Sequence, residues 1–174
     1  MRPPSGDPSD DALMADPSAF RQLVMRYERP LLDYFRHNLL DEHRAEDLKQ
    51  ETLLKVHAQR DTYRPEGRFR SWLFRIAHSL LVNEWQRRGL RVERPLTDLP
   101  DEDPVPSDAV VRDETWRRVF DALRRLPPIY REALVMAYFD GMPYAEIAEA
   151  TGTTVGNVAV RVHTALTFLR EKLG

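Results

Sequence analysis

The chain has 174 residues, of which 42% are hydrophobic and 31% are charged, enough for one or two small packed domains with a charged surface. It contains no cysteine, which excludes disulfides, thiolate zinc sites and a cysteine nucleophile and is compatible with a reducing cytoplasm. No apolar run approaches the roughly 18 residues that span a bilayer, so we expect no membrane insertion. Residues 1–15 lack the apolar stretch of a secretory signal and are predicted to be a disordered tail.

Charge is distributed unevenly along the chain. The net charge is −2, whereas domains that bind nucleic acid on their own are usually basic. Residues 60–91 nevertheless contain eight arginines against three acids. Such a patch can contact phosphates, but within a nearly neutral chain it does not give tight DNA binding at physiological salt. If the protein acts on DNA, we expect a partner to supply part of the affinity.

Helical periodicity dominates the first half, and strand patterns are nearly absent. The first helix is predicted to begin at Asp16-Pro17 and to kink or break at Pro30, because proline removes a backbone donor. A second helix is predicted over about 44–59 and a third over about 69–88. In the third, Trp72 and Trp85 recur at helical spacing with apolar neighbours, which favours core packing for both.

Residues 89–112 differ in composition from the rest, with four prolines and six acids. Proline removes backbone donors and like charges repel, so an extended linker is predicted. An ordinary surface loop is the alternative, but structureless loops of that length are uncommon within compact domains.

The segment 144–158 has the pattern of a helix-turn-helix. The small side chain of Ala148 lets a second helix approach, and Gly152 permits a tight reversal through positive φ. Thr153 or Thr154 can then cap a longer helix whose apolar residues return to the core. The outward positions of that helix would enter the major groove. A helical hairpin with no DNA role is the alternative.

Several segments resemble the extracytoplasmic-function (ECF) sigma factors of bacterial RNA polymerase. Residues 126–134 read Leu-Pro-Pro-Ile-Tyr-Arg-Glu-Ala-Leu, and with 138–148 they are similar to the family's C-terminal domain. Residues 156–165 are similar to its recognition helix. In the first half, 45–52 (Ala-Glu-Asp-Leu-Lys-Gln-Glu-Thr) resemble the polymerase-binding helix, and 69–77 (Phe-Arg-Ser-Trp-Leu-Phe-Arg-Ile-Ala) resemble the helix that reads and melts the minus-ten element.

The resemblance implies three sets of site residues. The recognition-helix set, for the minus-thirty-five element, is Val155, Gly156, Asn157, Ala159, Val160, Arg161, His163 and Thr164. The minus-ten set is Tyr63, Arg64, Arg68, Arg70, Arg75, Ser79, Asn83, Gln86 and Arg87. The polymerase-binding set is Asp47, Leu48, Gln50, Glu51 and Leu54. The resemblance also places the linker in the polymerase active-centre cleft and RNA exit path, with Asp98, Asp101, Glu102 and Asp103 mimicking nucleic acid; an inert linker is the alternative.

The chain departs from the family pattern at functional positions. Ser79, Asn83 and Gln86 stand where the family usually has Asn, Asp and Arg. In the recognition helix Asn157, Ala159, Val160 and Thr164 replace Thr, Lys, Ser and Arg, so two cations are missing. Base preference depends on such residues, and the lost phosphate contacts are expected to weaken the grip on the upstream element.

Residue types alone leave other interpretations open. The acids around residue 47 can form an ordinary solvated face, and the arginine-rich loop around Tyr63 suits single-stranded DNA or a solvated turn. The carboxylates near His43 lack zinc or di-iron spacing, so no metal is predicted. No Gly-rich phosphate loop and no nucleophile with an orienting acid occur, which predicts no cofactor, no small-molecule substrate and no enzymatic activity.

The sequence therefore predicts an all-α protein of two small helical domains joined by an extended acidic linker. Residues 16–88 form the first domain (region 2), 89–112 the linker and 113–174 the helix-turn-helix domain (region 4). The expected function is that of a cytoplasmic alternative sigma factor, with core RNA polymerase, promoter DNA and an anti-sigma factor as partners. A stand-alone helix-turn-helix regulator and a pure interaction protein are the rival classes.

Overall fold

The structure, a computed structural model, describes residues 8–92 and 114–174, and every regular element in these two ranges is helical. This confirms the predicted all-α class. The predicted linker lies outside the described residues from position 93 onward, together with its four candidate acids. The helices are α1 (Pro8–Ala15), α2 (Phe20–Leu39), α3 (Glu42–Ala58), α4 (Phe69–Arg87), α5 (Glu114–Arg125), α6 (Pro128–Leu134), α7 (Tyr144–Thr151) and α8 (Val155–Leu173).

Of the kink or break predicted at Pro30, the break is wrong, because helix α2 continues through this residue; the kink stays a prediction. An internal proline costs about 3 kcal/mol because it removes one backbone hydrogen bond and crowds the preceding turn. Tyr27 and Leu31, on either side of it, are both buried in the same core. This shared packing holds the two parts of the helix in register. The helix also begins at Phe20, later than predicted, after a turn in which Ser18 donates two hydrogen bonds to Asp16.

Helices α2, α3 and α4 surround a core rich in aromatic side chains. Tyr34, Phe35 and Phe74 lie in edge-to-face contact, and Trp85 is fully buried, as predicted. Trp72 is only partly buried and packs at the edge of the core. Leu54 of α3, which was assigned to the polymerase-binding set, has 69% of its surface exposed.

Residues 8–15 form helix α1, so the predicted disordered tail is wrong for this part of the chain. The helix packs on α2 through Met14, which is 2% exposed, and through Asp10, which is fully buried. The Asp10 carboxylate is paired with Arg26 and accepts a hydrogen bond of 2.6 Å from the Tyr27 hydroxyl. A charge that is paired and hydrogen-bonded in this way can be buried, and it holds α1 on the first domain.

The second half contains the predicted helix-turn-helix. A π-helical turn at Val135–Phe139 continues α6, and α7 ends at Gly152, whose φ of +65° lies in the left-handed region. The Thr154 hydroxyl then accepts a hydrogen bond from the backbone N–H of Asn157 and caps α8. The turn depends on a glycine and a capping threonine two residues apart, so the motif can be recognised from the sequence.

The two halves pack directly against each other. Helix α7 lies along α4, and the end of α2 contacts α6 and its π-helical turn. His37 of α2 stacks between Phe120 and Phe139, with ring centroids 5.7 and 4.2 Å away. The recognition motif is therefore packed on the helix that carries most of the predicted minus-ten residues.

Two glycine substitutions test the backbone geometry of the motif. An alanine at Gly152 meets no atom within 4 Å but must adopt a left-handed conformation, so Gly152→Ala should lower the free energy of unfolding by about 1–2 kcal/mol. Gly156 lies in the first turn of α8, where a Cβ would make only an ordinary 3.9 Å contact with the Thr154 hydroxyl, so Gly156→Ala should raise this free energy by up to about 1 kcal/mol. Urea denaturation measures both, and effects of the same sign would contradict this description of the turn.

Candidate nucleic-acid interface

The recognition helix presents a surface of mixed polar and apolar side chains away from its core. Val158, Val162 and Ala165 are buried, as the predicted spacing requires. Five of the eight predicted base-contacting residues are exposed: Val155, Gly156, Asn157, Val160 and His163. Ala159, Arg161 and Thr164 are half-buried. The helix-turn-helix therefore brings all eight predicted residues to one surface or its margin.

Asn157 is the polar side chain nearest the start of this helix. Its amide nitrogen donates a hydrogen bond of 3.0 Å to the Thr153 hydroxyl. An asparagine amide can pair with adenine in the major groove only when both its donor and its acceptor are available. In this structure the Thr153 hydroxyl accepts from one of the two amide N–H groups, so the second N–H and the carbonyl oxygen are the groups that can pair with a base.

Helix α4 carries a polar stripe along its exposed side. Arg75, Ser79, Asn83 and Gln86 recur at intervals of four, four and three residues, and all four are exposed. These side chains lie on one face of a helix because residues three and four apart are neighbours. Three of the four are the family departures noted above, so the departures lie where a nucleic acid could contact them.

The loop before α4 holds three further predicted minus-ten residues, Tyr63, Arg64 and Arg68, in different environments. Arg64 is exposed. Tyr63 is half-buried, and its ring lies 4.7 Å from that of Trp72, between the loop and the core. Burial, with the hydrogen bond to Asp11, raises the pKa of the Tyr63 hydroxyl well above its ordinary value. The Tyr63 hydroxyl is therefore neutral and donates to Asp11, and its ring already packs against Trp72.

Arg70 corrects the sequence-based picture most strongly. It was predicted to contact DNA, but its side chain is 1% exposed and its Nε donates a hydrogen bond of 2.6 Å to Glu146 of α7. Arg68 lies 3.4 Å from Glu149 of the same helix. In this arrangement Arg70 contacts protein rather than solvent, because α7 covers it.

The predicted polymerase-binding residues divide into a surface set and one core residue. Asp47, Gln50, Glu51 and Leu54 are exposed at positions that share one face of α3. Leu48 is 3% exposed and packs in the core, so its predicted place in the contact surface is wrong. The helical period explains the error, because residue 48 points opposite to residue 50.

A buried carboxylate ties the ends of α3 and α4 together. Glu84 is 3% exposed and accepts hydrogen bonds from Arg44, Arg87 and Arg88 at 2.6 to 2.9 Å. The hydrogen bonds from Arg87, joined by those from Arg44 and Arg88, hold the pKa of Glu84 well below its ordinary value despite burial. Arg44 also reaches Asp47 at 3.2 Å, so this cluster links the minus-ten helix to the α3 surface.

Sequence reasoning missed four acids that shape the site. Asp11, Glu84, Glu146 and Glu149 were assigned no role, although each contacts an arginine or a residue of the predicted minus-ten loop. The last two are three residues apart in α7 and share its face toward α4. Their spacing can be read from the sequence, but the arginines that they contact, about 80 residues earlier in the chain, cannot.

Comparisons with known proteins agree with this geometry. Residues 23–91 match the family model for sigma-70 region 2, and residues 116–169 match that for sigma-70 region 4. The chain is 36% identical over 137 residues to the ECF RNA polymerase sigma factor SigE of Mycolicibacterium smegmatis, covering 76% of this chain and 53% of SigE, so it spans about half of that relative. It is 32% identical over 165 residues to the RNA polymerase sigma factor CarQ of Myxococcus xanthus, covering 90% of each chain.

Two solved structures share the fold. CnrH, in complex with the cytosolic domain of CnrY, superposes with a TM-score of 0.73 at 26% identity and 97% coverage of both chains. RpoE of Bartonella quintana, in complex with the anti-sigma factor NepR, gives 0.71 at 25% identity, covering 88% of this chain and 96% of RpoE.

The matched regions and their order define a transcription initiation factor of the sigma-70 class. The chain belongs to the ECF sigma factors, alternative sigma factors that direct promoter-specific transcription. This confirms the predicted family and function. Over the described ranges, no helix is long and apolar enough to cross a membrane, and no group of three metal-ligating side chains occurs.

The Glu84 cluster predicts a pH-dependent contribution to stability. Glu84→Gln should lower the free energy of unfolding at pH 7 by about 2 kcal/mol, as expected for lost hydrogen bonds to a buried charged group. Because folding lowers the pKa of Glu84 from its ordinary 4.5, this contribution is complete above that pH and is lost as the pH falls below it. Urea denaturation between pH 7 and pH 3 should show the difference from wild type shrinking.

Glu66→Gln provides the matched control, since Glu66 is an exposed acid of the loop. It should leave stability unchanged at every pH. A Glu84→Gln deficit that stays constant down to pH 3 would contradict the assignment.

Proposed function

We propose that this chain binds core RNA polymerase through the exposed face of α3 and contacts promoter DNA through α4 and α8. The observation that carries the proposal is that both surfaces occur on one chain in the order of sigma regions 2 and 4. On α3, Leu54 is 69% exposed beside Asp47, Gln50 and Glu51. An apolar side chain surrounded by polar ones is the usual composition of a contact surface between proteins.

The α4 stripe and the loop before it suit the minus-ten element. Ser79, Asn83 and Gln86 are short or medium polar side chains that can hydrogen-bond to base edges, and Arg75 beside them can neutralise a phosphate. Bases of an opened strand present those edges, which a duplex keeps paired. We assign residues 16–88 to this domain, which also carries the α3 surface.

The α8 face suits duplex DNA at the minus-thirty-five element. Val155 and Val160, 49% and 62% exposed, can contact thymine methyl groups, and Arg161 and His163 can reach phosphates or base acceptors. We assign residues 113–174 to this domain and 89–112 to the linker between them. Two missing cations make this a weak electrostatic grip, which explains why the chain needs polymerase to hold DNA.

The remaining parts of the proposal follow from the family. The protein acts in the cytoplasm with RNA polymerase, has no enzymatic activity of its own and uses no cofactor. An anti-sigma factor is the expected inhibitory partner, since RpoE of Bartonella quintana was solved with one.

A pair of exposed-residue substitutions tests the two surfaces separately. Leu54→Glu should weaken binding to core RNA polymerase at least tenfold, because a charge replaces an apolar contact at the centre of the surface. Val160→Glu should leave polymerase binding unchanged and abolish promoter-specific transcription, because it places an acid against DNA. Binding of labelled protein to purified core, with housekeeping sigma factor as competitor, and run-off transcription measure the two effects.

Val160→Glu is the control for the polymerase-binding assay, and wild-type protein is the control for transcription. Wild-type protein that is folded but fails to bind core polymerase would refute the proposed function. Full polymerase binding by Leu54→Glu would refute the α3 assignment.

A further inference from the structure

Helix α1 carries two adjacent acids that bind different parts of the first half. Asp10 is fully buried, is paired with Arg26 and accepts a hydrogen bond of 2.6 Å from the Tyr27 hydroxyl. The next residue, Asp11, is half-buried and accepts hydrogen bonds from the loop before α4. Residues 8–15 lie outside the two ranges that match sigma-70 regions 2 and 4, so these matches assign no role to the helix. Asp10 therefore anchors the helix, and Asp11 joins it to the loop.

The Asp11 carboxylate holds this loop at two points. Its Oδ1 accepts a hydrogen bond of 2.5 Å from the Tyr63 hydroxyl, and its Oδ2 accepts one of 2.5 Å from the backbone N–H of Gly67. A carboxylate has two oxygens that can accept in this way, whereas the amide of asparagine has one. The two donors are four residues apart, so a single side chain holds both ends of the segment 64–66.

The backbone of segment 64–66 has little freedom between these two points. Pro65 fixes its own φ at about −65° and confines Arg64 before it to extended conformations. Gly67 has a φ of +70°, in the left-handed region that glycine adopts without steric cost. The side chains of Arg64, Pro65 and Glu66 are nevertheless exposed. The segment therefore presents a surface of defined shape to solvent.

The two acids also position the loop relative to the start of α4. The Tyr63 ring centroid lies 4.7 Å from that of Trp72 and 5.7 Å from that of Phe69, the first residue of α4. The Phe69 ring lies 5.4 Å from the Tyr27 ring, whose hydroxyl donates to Asp10. Adjacent acids of α1 thus bind the hydroxyls of two tyrosines that both pack against Phe69. Helix α1 therefore fixes the loop against the beginning of the predicted minus-ten helix.

A loop that captures an unpaired strand binds it more tightly when the loop already has the required shape. Ordering a mobile loop during binding costs conformational entropy, which is subtracted from the affinity. Functional groups on loops also depend on neighbouring side chains to hold their geometry. Asp11 supplies this support through Tyr63 and Gly67 while Arg64 stays exposed.

The charge of Asp11 by itself acts in the opposite direction. A carboxylate near a nucleic-acid surface repels phosphates, so loss of the acid would tighten DNA binding if charge alone mattered. Loss of a support for the loop would weaken binding instead. The sign of the change therefore distinguishes the two effects.

We propose that Asp11 is a positioning residue for minus-ten recognition, whose carboxylate holds Tyr63 and Gly67 so that segment 64–66 is shaped to receive the unpaired strand. The inference rests on the proposed function for the identity of the DNA surface. It adds helix α1, which lies outside the matched regions, to the parts of the chain that recognise the minus-ten element. Asp11 acts through the loop and not through a contact with DNA.

Substitution of Asp11 in the complete complex with core polymerase tests the proposal. The probe is a fluorescent single-stranded oligonucleotide of about twelve nucleotides, selected from a randomised pool by wild-type protein bound to core polymerase. Asp11→Ala should weaken binding of this probe by about fivefold or more, because both hydrogen bonds to the loop are lost. Asp11→Asn should weaken it less, because the amide keeps one acceptor oxygen. Binding of each variant to core polymerase should stay within about twofold of wild type, because the α3 surface is unchanged.

Asp61→Ala is the matched control for the loss of charge. Asp61 lies in the turn after α3, its side chain is 93% exposed, and it is 3.8 Å from Arg60. Its substitution removes the same charge and should leave the affinity for the probe unchanged or slightly higher. Core binding is the control for folding, since the α3 surface belongs to the same domain and a domain that unfolds loses both activities.

Tyr63→Phe tests the contact from its other side. It removes one hydrogen bond to Asp11 and keeps the ring that packs against Trp72. It should weaken binding of the probe by itself. Combined with Asp11→Ala it should cause no loss beyond that of Asp11→Ala alone, because residues that act through one contact have non-additive effects.

An Asp11→Ala variant that binds the probe as tightly as wild type, or more tightly, would overturn the proposal. Equal losses of probe and core binding, or additive effects of Asp11→Ala and Tyr63→Phe, would also overturn it. Failure of wild-type protein to bind core polymerase would refute the proposed function and this inference with it. A wild-type complex that selects a strand, with an Asp11→Ala complex of equal affinity, would refute the inference alone.

Discussion

The pairing of Arg70 with Glu146 is the interaction on which the arrangement of the two halves depends. A guanidinium that is 1% exposed is tolerated only when its charge is compensated by a partner with good geometry. That partner lies 76 residues away, across the boundary between the two predicted domains. Removing Glu146 would leave the charge of Arg70 buried and uncompensated. The first half therefore keeps this conformation only while α7 covers Arg70 or water hydrates it.

This constraint connects folding with function. Cations that bind DNA must be accessible when DNA arrives, yet free cations on a surface repel one another and attract any polyanion. In this chain Arg68 and Arg70 are matched by Glu149 and Glu146 of α7. The near-neutral net charge of −2 is thus the sum of two complementary surfaces rather than an absence of charge.

Local patterns in the sequence predicted the local structure well. The third helix, expected over about 69–88, is observed at Phe69–Arg87, and Gly152 and Thr154 occupy the predicted turn and cap. These features depend on neighbours within four residues, which the sequence displays directly. Residues 79 and 83 were likewise expected on the exposed face of their helix, and they are there.

The features that the sequence did not predict depend on contacts between residues that are far apart in the chain. Pro30 lies inside a continuous helix because tertiary packing outweighs its local cost. Leu48 is buried although it was assigned to the polymerase-binding surface, because several rotations of an amphipathic helix fit one pattern of apolar residues. Asp11 and Glu146 acquire roles only through partners more than 50 residues away.

The central claim is that the halves in contact here separate when the protein engages a promoter. Förster transfer between dyes at Gln59→Cys and Glu171→Cys, one on each half and both exposed, measures this separation directly. The account predicts higher transfer in the free protein and a clear fall when core polymerase and promoter DNA are added together. Unchanged transfer in a complex that is active in transcription would contradict it.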